Sequence, residues 1–199
     1  ASYANLETKV AERTRELATL NAVAATISES LELKAILHGV LDQVIPAIGV
    51  RAGGIYLLDS ERGVLKLSAH RGLNAAVARQ IDDLPAGEGL AQRVLQSGEP
   101  LAVTDISSDS QITQEVVRET GMGAVAIAPV QSKGTTLGAL FVAAHTFREF
   151  TPDELKLLTA IGQQVGIGVE NARLFAEEQR QRAEALALVE VADMVSGNL

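Results

Sequence analysis

Between residues 6 and 31 the apolar positions recur at alternating spacings of three and four. Leu6, Val10, Arg13, Leu17, Leu20, Ala24, Ile27 and Leu31 fall in turn on the d and a positions of a heptad, and only Arg13 breaks the seam. Such a run predicts a coiled-coil helix that pairs in parallel with a second copy, with a one-sided helix packed on its own domain as the alternative. A second amphipathic helix is expected over Leu33–Ile48, with Ile36, Leu37, Val40, Leu41 and Val44 on one side and Pro46 and Gly49 closing it. The period then shortens. Residues 52–58 and 64–71 read as strands joined by the turn-forming Asp59-Ser-Glu-Arg-Gly63, and 101–104, 124–132 and 136–145 read the same way. Short helices are expected over 73–81, 90–96 and 112–120, and a long one from Pro152, since proline is tolerated in a first helical turn.

Neighbouring strands joined by short turns predict an α+β fold with a mainly antiparallel central sheet. Ile55-Tyr-Leu-Leu and Leu140-Phe-Val-Ala-Ala are apolar on both faces, so both faces need cover. The long terminal helices can close one face, leaving the other to the shorter segments 73–96 and 105–122. A small-molecule cavity belongs under that second, looser cover.

Several stretches carry a family likeness: Gly54-Ile-Tyr-Leu-Leu-Asp59, Arg71-Gly72-Leu73, Gly87-Glu-Gly-Leu90, Gly98-Glu-Pro-Leu101, Asp105-Ile106, Gly138, Phe150-Thr151-Pro152, Leu155, Leu158 and Glu170-Asn171-Ala172-Arg173-Leu174. In this order the chain resembles a GAF domain over about residues 20–175, as found in bacterial signal-transduction proteins such as sensor histidine kinases. The resemblance implies a cytoplasmic regulatory domain that binds a small molecule and passes a change to an output domain on the same polypeptide. That output is expected to be a kinase of a two-component system, a cyclase, a phosphatase or a transcription regulator. Residues 1–31 then form a signalling helix, 32–172 the sensory domain and 173–199 a linker helix. Leu20, Val23, Ala24, Ile27, Ser28 and Leu31 recur as Leu188, Val191, Ala192, Val195, Ser196 and Leu199, an offset of 168 (188 minus 20). The end of the chain therefore reads as the opening helix of a second such module.

Composition narrows the function. The net charge of −8 and the lack of a basic block argue against nucleic acid. No apolar run approaches the ~20 residues needed to cross a bilayer, so this segment is expected to make no membrane contact; a membrane anchor of the full-length protein would lie elsewhere. The absence of cysteine removes thiol nucleophiles and a covalent bilin attachment, and with them the methionine sulfoxide reductase chemistry of some GAF relatives. Haem is disfavoured too. Strict alternation sets His70 with Lys66 and Ser68 on a polar face near solvent, and His38 reads as a surface residue.

No catalytic pattern emerges. Gly87-Glu88-Gly89 lacks the rest of a phosphate-binding loop and reads as a turn. Asp153-Glu154 opens a helix, where the dipole favours negative charge, and Asp82-Asp83 sits in a loop. The expectation is a non-enzymatic domain of unassigned ligand, contacted by Tyr56, Thr104, Asp105, Ile106, Val125, Ile127, Phe141, Ala143 and His145. The polar run 104–111 offers hydroxyls, carboxylates and backbone N–H groups, or serves as a connector with a helix cap at Ser110. The homodimer interface is expected at Leu6, Val10, Leu17, Leu20, Ala24, Ile27 and Leu31, with Val165, Val169 and Ala172 of the last helix.

Overall fold

The computed structural model describes residues 2–84, 89–108 and 121–196. The expected helix 112–120, the Ser110 cap and Gly87-Glu88 fall outside them. In chain order, the helices are α1 (Ser2–Glu29), α2 (Leu33–Ile48), α3 (Ala75–Gln80), α4 (Leu90–Ser97) and α5 (Pro152–Ser196). The strands are β1 (Ala52–Asp59), β2 (Val64–Arg71), β3 (Asp83–Leu84), β4 (Leu101–Val103), β5 (Ala124–Ser132) and β6 (Thr135–Ala144). They form one antiparallel six-stranded sheet in the order β3-β2-β1-β6-β5-β4. The α+β architecture expected from the chain is the one found. The sequence pattern gave no sign of β3, a two-residue strand inside an expected loop.

The apolar residues divide by strand parity. Ile55, Leu57, Ala124, Ala126, Ala128, Val130, Leu140 and Val142 face α1, α2 and α5, where they meet Ile36, Leu37, Val40, Leu41, Leu158, Ile161 and Val165. The alternate residues face the other way. A doubly buried sheet follows, as the two-sided apolar strands demanded.

Helix ends show why these segments start and stop. Gly49 takes a left-handed φ of 72° and its N–H reaches Ile45 O and Pro46 O, so Gly49 ends α2 while Pro46 is carried within its last turn. At α5 the Thr151 hydroxyl accepts from the Glu154 N–H (3.2 Å) and the Glu154 carboxylate accepts from the Thr151 N–H (2.8 Å), a reciprocal capping box. Arg148 binds Glu154 and donates to the Ile48 and Gly49 carbonyls, while its guanidinium lies 4.9 Å from the centre of the buried Phe150 ring. The Phe150-Thr151-Pro152 motif thus pins the start of α5 to the end of α2.

The heptad seam of α1 splits in two. Leu6, Val10 and Leu17 are exposed, whereas Val23 is fully buried and Leu20 and Ile27 pack on the chain's own core. Helices α1 and α5 run side by side in one direction, since Glu12 and Glu16 lie beside Thr151 and Glu154, and Ile27 lies against Gly168. The coiled-coil pattern therefore holds an own-domain contact in its second half and a free apolar edge in its first. Val165, Val169 and Ala172 lie in the core of a single chain, and Ile167, Leu174 and Phe175 are the exposed apolar positions of that stretch. The interface role expected for those three is corrected: they have no surface left to offer a partner.

His38 is also corrected. It is half-buried between α2 and β2, and Arg71 Nη1 donates to its Nδ1 at 2.6 Å while Arg71 Nε and Nη2 donate to the Asp42 carboxylate at 2.8 and 3.2 Å. Burial first, then the Arg71 charge, push the His38 imidazole below its ordinary range; Asp42 opposes this, and His70 and Lys34 add to it. The hydrogen bond from Arg71 likewise holds the Asp42 carboxyl below its usual value. For both groups the folded chain binds fewer protons than the unfolded one. For His38 this stability is complete above pH ~6.5, the unperturbed histidine value, and is lost as pH falls through the depressed folded value. Melting temperature is expected to rise between pH 5 and 7 in the wild type and to rise less in His38→Gln, read by circular dichroism; parallel curves would refute the assignment.

Candidate ligand-binding face

Directly opposed residues on neighbouring strands share a face, so the register can be read across the sheet away from α1 and α5. One row is Ala52, Ala143, Val125 and Val103; the next is His70, Gly54, Phe141, Ile127 and Leu101; a third is Leu67, Tyr56, Ala139 and Pro129. Over these rows lie Ala78 of α3, Leu90, Ala91 and Val94 of α4, and Ile106 of the short turn Ile106–Ser108. Tyr56, Ile106, Val125, Ile127, Phe141 and Ala143 come together in one buried cluster.

Within it the Tyr56 and Phe141 rings pack at 5.5 Å between centroids, tilted by 32°. Gly54 makes this possible, because a Cβ there would strike the edge of the Phe141 ring. The Tyr56 hydroxyl donates to Ile81 O at 3.0 Å, and its burial, with a smaller effect of Asp82, raises its pKa well above the ordinary phenol value. It remains a neutral donor at any physiological pH.

The polar candidates sit at the rim. Thr104 and Asp105 are half-buried. The Asp105 carboxylate accepts from the Ser107 N–H (3.0 Å) and hydroxyl (2.6 Å), so it caps its own turn. The Ile106 N–H donates to Gly123 O and anchors that turn to the start of β5. His145 lies just past β6, exposed, with Nδ1 3.0 Å from Gly121 O.

The position misjudged from sequence is His70. A register shift between Ile55 and Tyr56 leaves Ser68 unpaired, so that Ala69 opposes Ile55 and Leu67 opposes Tyr56. Such a bulge reverses parity along the strand. Ala69 consequently belongs to the helix-side core and His70 turns to the Tyr56–Phe141 side, away from the polar face that alternation assigned.

Behind this face, β5 is held by α5. A Cβ on Gly162 or Gly166 would enter the van der Waals envelope of Pro129 O or Gln131 O, so the helix rests directly on strand backbone. One turn further, Glu170 accepts from the Ser132 hydroxyl and from Lys133 Nζ (3.0 Å), and these bonds, Ser132 first, lower its pKa. The Glu170 motif thus ties α5 to the β5–β6 turn.

A family model for the GAF domain matches residues 30–170. The chain belongs to the GAF domain family. Among curated relatives it is 27% identical over 173 residues to the Nif-specific regulatory protein of Azospirillum brasilense, covering 83% of this chain and 27% of that protein. It is 26% identical over 173 residues to the sensor histidine kinase YhcY of Bacillus subtilis, covering 84% and 45%. The chain thus spans less than half of either relative. The GAF domain of a phosphoenolpyruvate-protein phosphotransferase from Coxiella burnetii superposes with a TM-score of 0.73 at 21% identity, covering 82% of this chain and 98% of that one. The same fold carries an enzyme, the free methionine-R-sulfoxide reductase of Neisseria meningitidis (TM-score 0.68, 18% identity, covering 78% and 89%). No helix among the described residues is long and apolar enough to cross a membrane.

Proposed function

We propose that this GAF domain is a cytoplasmic, non-enzymatic sensor of a bacterial signalling protein. It holds a small molecule against the Tyr56–Phe141 face and relays its presence through α5 to an output domain. The observation that carries this reading is the position of β5. Its residues Val125 and Ile127 form the face, while its backbone is the seat of Gly162 and Gly166 of α5. A molecule that binds one position of β5 more tightly shifts α5 with it, and only such a difference in affinity can drive the relay. Hydrogen exchange over residues 162–175 tests this: exchange should be slower in the chain as purified than after unfolding, removal of small molecules and refolding. Equal rates would argue for a spacer.

The spacer reading has its own support, since Tyr56 and Phe141 fill part of the face with each other and the Tyr56 hydroxyl is satisfied internally. In that case the domain dimerises and transmits without a ligand.

Both readings use a homodimer. Leu6, Val10 and Leu17 on α1 and Ile167, Leu174 and Phe175 on α5 are exposed apolar positions on helices that run in one direction, which suits a parallel bundle of two chains. Leu17→Glu, 60% exposed in one chain, should leave the fold intact and weaken the dimer by at least tenfold in sedimentation equilibrium. An unchanged dimer would remove α1 from the interface.

The far end of α5 points to a further module. Leu188 and Val191 are 71% and 54% exposed, yet their counterparts Leu20 and Val23 pack on the chain's own core. The repeat suggests that α5 continues as the α1 of a second GAF domain.

A further inference from the structure

Resting on the ligand reading of the Tyr56–Phe141 face, we propose that His70 is its polar anchor. The ligand is an uncharged molecule with an apolar body and one hydrogen-bonding group directed at His70 Nδ1.

Three observations lead there. The bulge at Ser68 places His70 opposite Gly54, in the row that continues through Phe141 and Ile127. Gly54 puts no side chain between His70 and Phe141, and the place a Cβ would take is bordered by the Phe141 ring edge and the Ala69 carbonyl oxygen. The Nδ1 atom of His70 is buried and has no hydrogen-bond partner, in contrast to the other polar groups around the face. The Tyr56 hydroxyl is spent on Ile81 O, the Asp105 carboxylate on Ser107, and the imidazole of His145 lies against Gly121 O. An unmet buried nitrogen is costly, and a ligand that meets it recovers that cost.

The chemical class follows from the surroundings. The buried residues of this cluster are aliphatic or aromatic, and among the described residues the arginines of the covering helices, Arg79 and Arg93, are exposed. A carboxylate or phosphate would be stripped of water with no fixed cation to receive it, which is unfavourable in an apolar setting. A neutral hydroxyl, amide or ring N–H loses far less and gains the bond to Nδ1.

The test uses the full chain, first stripped of small molecules by unfolding and refolding, with phenol, benzene and benzoate as probes. Phenol should move the His70 ring nitrogen resonance in a ¹⁵N-histidine spectrum, whereas benzene should not, and benzoate should bind at least tenfold more weakly than phenol. His70→Leu should bind phenol and benzene alike; His70→Asn, which keeps a polar atom near the Nδ1 position, should recover part of the preference for phenol. Without a probe, His70→Leu should melt at a higher temperature than the wild type, because it removes the unmet nitrogen. A lower melting temperature for His70→Leu, a phenol-insensitive His70 resonance, or benzoate binding as tightly as phenol would each overturn the proposal. If phenol engages His70 while exchange in α5 stays unchanged, the anchor stands and the relay reading falls.

Discussion

Gly166→Ala is expected to lower the melting temperature by roughly 4–8 °C. The added methyl would overlap the Gln131 carbonyl oxygen, and backbone cannot step aside as the end of a side chain can. Overpacking of this kind costs about 3 kcal/mol. The better helix propensity of alanine offsets about 1 kcal/mol, leaving a net loss of about 2 kcal/mol, which converts to that shift for a chain of this size. Gly162→Ala, which meets Pro129 O, should behave alike, whereas Gln163→Ala at an exposed position between them should stay within about 0.5 kcal/mol. Thermal melts of the three variants decide it. If Gly166→Ala melts with the wild type, α5 does not rest on β5 and the route from face to output helix is lost.

The second large effect comes from two neighbours on opposite sides of β6. Leu140 and Phe141 are both buried, Leu140 among the helices and Phe141 beside Tyr56. Leu140→Ala should cost about 2–5 kcal/mol and Phe141→Ala about 3–5 kcal/mol, from lost burial and the cavity left behind. The two should differ in consequence. Leu140→Ala lowers stability and leaves probe binding at the face intact, while Phe141→Ala also removes the wall beside Gly54 and changes binding by tenfold or more. Urea denaturation supplies the stabilities, and phenol titration of the folded variants supplies the binding. Equal binding changes in both variants would mean that strand parity does not separate site from core.

Much of the fold was legible because its determinants are local. The apolar residues on both sides of β1 and β6 required two covered faces, and Pro152 marked the start of the last helix. Tyr56, Val125, Ile127, Phe141 and Ala143 share one side of the sheet because strand alternation sets it, whereas Ile106 joins them from a turn. His70 was misplaced because its side is set by one unpaired residue, Ser68, and nothing in Lys66-Leu-Ser-Ala-His70 announces a bulge. Arg71 and His38 were missed for a related reason: their contact joins residues 33 positions apart and depends on how α2 crosses β2. The heptad seam misled in another way. A stripe at Val165, Val169 and Ala172 has the same period whether it meets a partner chain or the chain's own sheet, and here it meets the sheet.

Native mass spectrometry of the purified chain, followed by the same sample after denaturation, tests the sensor claim most directly. The expected result is a dimer of the 20.9 kDa chain that carries a reproducible additional mass of a small neutral molecule, lost on denaturation. A bare chain whose mass stays unchanged after exposure to cell extract would contradict the sensor reading and leave the spacer.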